Sequence, residues 1–347
     1  MSQALKIKKH FTKHILILVA LTLVALVCNI SLGSVAIPFK DTIQILMGFE
    51  HPNTSWHYIV LNYRFTKAIT ALCAGAGLSV AGLLMQSTFR NPLAGPYVLG
   101  VSSGAGLGVA LVVMGATLLG SLGGFLITHA WGIAIAAFVG TLCVLLILLI
   151  TSFRVSDNTT LLIIGLMFGS FASAIVSVLA YFTNSEMLQR YIFWSFGSLG
   201  HLTTSKLWVL IIISCLGFCG AIYKSKSLDA FVLGDAFAFS VGVKLKAHLL
   251  YVIILTSLLV GTITAFAGPI AFIGLAVPHV ARQFIRTTNH FILIPATALC
   301  GAIILLLCDT IAQLPFSDYT LPINAITALF GAPLIIWILI RKQKLFF

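Results

Sequence analysis

An all-α protein that crosses a membrane about ten times is the fold class this sequence predicts, on three observations. Of its 347 residues 60% are hydrophobic and 8% charged, and the mean hydropathy is +1.11, which excludes an ordinary soluble domain. The apolar residues gather in runs near the ~20 residues that carry a helix across a bilayer, without the strand alternation of a membrane barrel. The few cations, finally, fall unevenly on alternate connections between those runs.

The runs are 15–34, 66–87, 97–118, 124–151, 160–183, 205–222, 247–267, 269–285, 291–311 and 321–340. Ten spans put both termini on one side. With the N-terminus in the cytoplasm, inner segments collect fifteen of the twenty Lys and Arg residues; the outer ones hold Lys40, Arg64, Lys67, Arg190 and Lys206. The net charge of +12 thus reports topology, and no nucleic-acid partner is expected. Four lysines before Ile15–Cys28 imitate a signal peptide, but no small-x-small cleavage pattern follows, so the segment reads as a retained first span.

Taken in order, the first span leads to a polar-flanked excursion, Ile37–Asn62, in which Phe39–Met47 has amphipathic helical spacing suited to a membrane surface. The second span runs into Gln86-Ser87-Thr88-Phe89-Arg90-Asn91-Pro92-Leu93-Ala94-Gly95-Pro96, a polar, proline-broken stretch between apolar sequences. Backbone groups freed by such a break must be satisfied inside protein or beside water, which marks a conduit rather than an anchor. Gly100, Gly104 and Gly108 then form a stripe at helical spacing, and Gly165, Gly169, Ser173 and Ser177 form another in the fifth span. Small residues at that spacing admit a second helix at close range or line a symmetric pathway. The inner loop Tyr223–Lys246 alternates apolar residues around Gly234 and Gly242, giving short helices that pack on headgroups or dock a partner. Gly268–Arg282 repeats, half a chain later, the break seen at Pro92–Gly108, as in transporters built from structural repeats.

The chemistry is sparse. No phosphate-binding GxxxxGK[ST] loop and no HExxH occurs, and His279 reads as a packing residue rather than a metal ligand. The seven cysteines fall in or beside apolar runs and read as small core residues; no disulfide framework, metal site or cofactor is expected. The eight acids sit at span ends, with only Asp309 inside an apolar run, so an ion-coupled carrier is disfavoured and energy for uphill transport must come from another subunit.

One family unites these pieces. Leu61-Asn62-Tyr63-Arg64-Phe65-Thr66-Lys67, Gly75–Gly82, Met85-Gln86, Arg90–Pro96, Trp194–Leu199, Leu233-Gly234, Gly242-Val243, Gly268–Leu275 with Pro278-His279 and Arg282, Asp309-Thr310, Leu321-Pro322 and Gly331-Ala332-Pro333 appear in the family's order. The chain resembles the permease subunits of ABC importers for iron–siderophore complexes, haem and vitamin B12. The resemblance implies one permease domain over 1–347, membrane-embedded from residue 14, with 223–246 as a cytoplasmic coupling loop. It implies a homodimer in the bacterial inner membrane, two copies of a separate ATPase that binds ATP and magnesium, and an extracytoplasmic binding protein. This chain would be a transport subunit and not an enzyme.

The resemblance also distributes roles. Arg64 and Lys67 match the cations that meet the binding protein, with Thr66 where the family has proline and Lys67 where it has a second arginine. Reversing both charges is expected to weaken docking and spare ATPase assembly. Asn91 and Leu93 match the cytoplasmic gate, as do Asn158 and Thr159, which equally suit a helix cap. Gly234, Asp235, Ala238 and Gly242 match the coupling helices. Gly165, Gly169 and Ser173 lie on the pathway helix. Two positions depart from the pattern: Gln313 replaces a frequent outer arginine, and Asn324 replaces the glycine of an L-P-x-G turn. Iron–siderophore ranks first among substrates, haem second and vitamin B12 third; a secondary carrier acting alone is the competing mechanism.

Overall fold

The computed structural model describes residues 2–340 apart from 50, 51, 98, 130, 153, 156, 157, 201, 316 and 318; side chains at 2–10, 117–119, 122, 128, 158, 159, 162, 338 and 339 also lie outside the description. The described residues form helices throughout. They are α1 (Ser2–Ser31), α2 (Phe39–Leu46), α3 (Thr54–Tyr58), α4 (Phe65–Phe89), α5 (Val101–Val113), α6 (Ala116–Thr128), α7 (Gly132–Ser152) and α8 (Asn158–Phe182). There follow α9 (Ser185–Ser195), α10 (Thr204–Tyr223), α11 (Ser225–Val232), α12 (Asp235–Ser240), α13 (Leu245–Ala267), α14 (Ile273–Ile285), α15 (His290–Ala312) and α16 (Ile323–Ile340).

Among the described residues seven segments are long and apolar enough to cross a membrane: α1, the continuous stretch Thr54–Phe89, α7, α8, α10, α13 and α15. Each of the ten expected spans finds a helix, but they are not alike. At 13 residues, α5 and α14 are each ~20 Å long, too short to cross a ~30 Å hydrocarbon core alone. Each follows a break in the chain, and each starts after a residue with positive φ, Gly100 (76°) and Phe272 (66°). The two breaks noted in the sequence are therefore built alike.

Between residues 97 and 151 the structure corrects the sequence reading. Two spans were expected there, and three helices occur, because the chain leaves helical geometry at Met114-Gly115 and again before α7. Inside α6, Gly120 is non-helical (φ 55°, ψ −130°). Uniformly apolar sequence carries no periodic mark of such interruptions; only the glycines hint at them. Another addition is α9, whose cap Asn184 accepts a hydrogen bond from the Met187 N–H at 2.9 Å. The cysteines also divide: Cys73, Cys300 and Cys308 are buried, whereas Cys28, Cys143, Cys215 and Cys219 lie exposed on the surface of the chain.

The centre of the bundle is α4. Ala68, Ala71, Ala74 and Ala81 are fully buried along it, and α10, α13, α14 and α15 surround it. Glycine sets two of these approaches. A β-carbon on Gly82 would collide with the carbonyl of Gly274 in α14, and one on Gly75 with the carbonyl of Gly301 in α15. Such backbone-to-backbone contact gives helices dispersion and packing energy where lipid provides no hydrophobic driving force. The glycine stripe of α5 works the same way against α7, where Gly104 and Gly140 leave no room for a β-carbon on either. By contrast α8 is mostly uncovered: 11% of its spanning window is buried, against 83% for Thr54–Phe89.

Candidate functional site

At the Arg90 end of α4 the two chain breaks meet. Arg90 closes the helix in the left-handed region (φ 47°), and the next turn is held by the Asn91 side chain, which accepts from the Leu93 N–H at 2.8 Å. The Ala94 N–H donates to the Asn91 carbonyl at 3.0 Å. Asn91 is half-buried and Leu93 exposed at 38%, so the turn presents its apolar side chain outward on a side-chain-locked backbone. Tyr97 from the first break stacks on Phe272 from the second, with ring centroids 6.4 Å apart. His279 of α14 donates from Nε2 to the Pro92 carbonyl at 2.9 Å.

Buried polar side chains tie this junction together. Gln86 is fully buried; its Nε2 donates to the Leu275 carbonyl at 3.0 Å and its Oε1 accepts from Arg282 at 2.8 Å. Both halves of the amide are used, and a backbone carbonyl in the first turns of α14 gains a donor. Asn324 acts on the second break, where its side-chain oxygen accepts from the Ala271 N–H at 3.1 Å. A glycine, the family's residue there, has no side chain to do this, so the departure at 324 has a structural use. His279, read from sequence as a packing residue, is in place with a backbone partner.

The helices α11 and α12 join the junction through one ion pair. The Arg90 guanidinium lies 2.8 Å from the Asp235 carboxylate, linking the α4 turn to the first residue of α12. Gly234, at φ 115°, lets the chain turn sharply from α11 into α12, and Gly242, at φ 86°, turns it out again. Ala238 is fully buried and packs on Ala230 and Phe231. Leu233, Phe237, Phe239 and Val241 are exposed around it, an apolar surface on so short a hairpin. Apolar spacing in the sequence announced the helices; which face stays bare was not legible, because that depends on how α11 and α12 fold onto each other.

At the opposite end of α4 lie Arg64 and Lys67. Both side chains turn inward. Arg64 is 8% exposed, and its guanidinium lies over Gly33 and donates to the carbonyls of Ile30 (3.1 Å) and Ser31 (2.9 Å) at the C-terminal end of α1 and to that of Val35 in the connection beyond it. A cation there satisfies carbonyls the helix leaves free and opposes the negative end of its dipole. Lys67 pairs at 3.1 Å with Asp309, a carboxylate only 2% exposed, which also accepts from Asn29 (3.0 Å) and Gln313 (2.8 Å). The two cations fasten α1, α4 and α15. Gln313 belongs to the same network, which explains an amide at that position.

The stripe on α8 splits in two. A β-carbon on Gly165 would sit 2.9 Å from the Leu99 Cα, and one on Gly100 would sit 2.7 Å from the Gly165 carbonyl, so Gly165 seats the start of α5. At Gly169 a β-carbon would meet Ser103 Oγ at 3.3 Å. Ser173 instead faces outward. Asn158 and Thr159 open α8, but their side chains lie outside the described residues.

Comparison with known proteins places this architecture. The profile of the FecCD transport family matches residues 21–341, more than nine-tenths of the chain. The chain belongs to the FecCD transport family. Among FecCD relatives, the hemin transport system permease HmuU of Yersinia pestis is 33% identical over 332 residues, covering 94% of this chain and 95% of that protein. The vitamin B12 import permease BtuC of Salmonella typhi is 35% identical over 287 residues, with 82% and 84% covered. Among solved structures, a metal-chelate-type ABC transporter in an inward-facing conformation superposes with a TM-score of 0.79 at 28% identity, covering 96% of this chain and all of that one. PsaBC of Streptococcus pneumoniae in complex with a Fab, at TM-score 0.55 and 14% identity, shares the fold. This FecCD chain is thus an all-α, multi-pass membrane permease.

Proposed function

We propose that this chain is the membrane subunit of an ATP-driven importer for an iron chelate, working by alternating access as a homodimer with two separate ATPase subunits. The observation that carries the reading is the Arg90–Asp235 pair, which connects the bare apolar hairpin α11–α12 to the turn at Asn91-Pro92-Leu93. A partner that moves the hairpin moves the turn. The hairpin end is cytoplasmic in this reading, as are both termini, since fifteen of twenty cations lie on that side. The uncovered face of α8, with Ser173, is where a second copy and the substrate path lie. Asn158 and Thr159 complete the inner gate at the start of that helix.

Haem and a ferric siderophore are the first substrates, on the names of the hemin permease and the metal-chelate transporter; vitamin B12 is second, on the name of the B12 permease. An ion-coupled carrier gains no support, because the buried Asp309 is already neutralised by Lys67. The test is uptake into proteoliposomes of the chain copurified with its ATPase. Haem, ferrichrome and cyanocobalamin are each offered with the cognate binding protein, with and without enclosed ATP. ATP-dependent accumulation of an iron chelate is expected; accumulation driven by an ion gradient in the absence of ATP overturns the reading.

A further inference from the structure

A second, more deeply buried connection joins the hairpin to α4. Asp229 of α11 accepts from Nδ1 of His290 at 2.6 Å and from the His290 backbone N–H at 2.9 Å. The other ring nitrogen, Nε2, lies 2.6 Å from the hydroxyl of Ser87 in α4. With Nδ1 donating to the carboxylate, Nε2 of the neutral ring accepts from the serine hydroxyl. His290 and Ser87 are 3% and 1% exposed, and Asp229 is 37% exposed. The order Asp–His–Ser matches a hydrolytic triad, but a serine so enclosed meets no substrate, and the three groups come from helices that pack as a wall.

We infer that Asp229–His290–Ser87 is a rigid tie through which displacement of α11 reaches the Arg90 end of α4, with His290 as its positioning residue. The inference rests on the importer reading for its purpose and on geometry for its existence. An imidazole is stiff and bonds at both ends, so α11 cannot shift away from α4 without breaking a buried hydrogen bond or carrying Ser87 with it. Water does not reach the His290–Ser87 bond, and its loss leaves a buried polar group unpaired; the Asp229 end of the tie is the more open one. The Arg90–Asp235 pair carries the same displacement from the solvent side, its side chains 32% and 54% exposed. Phe231, also on α11, stacks on His248 of α13 with centroids 4.1 Å apart, so α11 is held from a second side.

The test compares the wild-type chain with Ser87→Ala, His290→Asn, His290→Gln and Asp229→Asn in lipid nanodiscs by amide hydrogen exchange. Asn at 290 imitates Nδ1 and keeps the Asp229 bond alone; Gln imitates Nε2 and keeps the Ser87 bond alone. If the tie operates in series, all three of Ser87→Ala, His290→Asn and His290→Gln speed exchange across 226–232 about tenfold, the factor one ordinary hydrogen bond represents. Asp229→Asn, which retains an accepting oxygen, stays within twofold of wild type. Unchanged exchange across 226–232 in Ser87→Ala, a conservative change on another helix, overturns the inference. In the complex with the copurified ATPase, Ser87→Ala should hydrolyse several-fold more ATP per substrate imported; an unaltered ratio also overturns it. Failure of the importer reading has a different signature, no ATP-driven uptake by the wild type while the exchange pattern holds.

Discussion

Removing the ammonium of Lys67 separates a fastening role from a docking role. In Lys67→Met the Asp309 carboxylate stays buried and loses its only cationic partner among the described residues, keeping Asn29 and Gln313 as donors. Breaking a buried pair from one side costs ~3–5 kcal/mol. Two amide donors remain and the Lys67 side chain is 23% exposed, so water reaches the gap and the low end applies, about 3 kcal/mol. At ~2 °C per kcal/mol for a large domain, the melting temperature in detergent falls by about 6 °C. The double variant Lys67→Met/Asp309→Asn removes both charges and leaves the amide contacts, and is expected within about 1 kcal/mol of wild type. The assay is thermal melting followed by size-exclusion recovery, run beside titration with the binding protein. A Lys67→Met chain that melts like wild type but binds its delivery protein weakly would refute the reasoning and return Lys67 to the outer surface.

Two further outcomes follow from the inner end and from α8. Arg90→Asp and Asp235→Arg should each move the melting temperature little, since an exposed pair contributes about 0.2–1 kcal/mol, yet each should lower ATP-driven uptake several-fold, with the reciprocal double variant restoring most of it; restoration absent in the double variant would show that the residues act separately. Gly165→Leu drives a side chain into the Leu99 backbone, so α5 and α8 must part at a cost of ~1–3 kcal/mol, and uptake should fall to background while the chain still assembles with its ATPase.

Much of the architecture was legible because a membrane simplifies the code. Apolar run length marks the long spans independently of which helix touches which. The short helices were harder. The glycines before α5 and α14 are visible as breaks, but the division of 97–151 into three helices hides in sequence that is apolar throughout. The site residues follow the same line. The structure gives Gly234 and Gly242 turns of positive φ that glycine adopts freely, and Asn91 an Asx turn, neither of which the sequence reading had specified. The intrachain contacts of Arg64 and Lys67 were not legible, because a cation near a span end looks the same whether it meets water, a partner or the carbonyls of a neighbouring helix.

What the sequence by itself determined is therefore what local chemistry governs: a helical membrane permease, its long spans and its broken stretches. Only the tertiary structure decided the pairings across 145, 203 and 242 residues, Arg90 with Asp235, Ser87 with His290 and Lys67 with Asp309. The physical reason is that a polar side chain in a spanning helix must find a partner, whereas the identity of that partner depends on which helices glycine allows to touch.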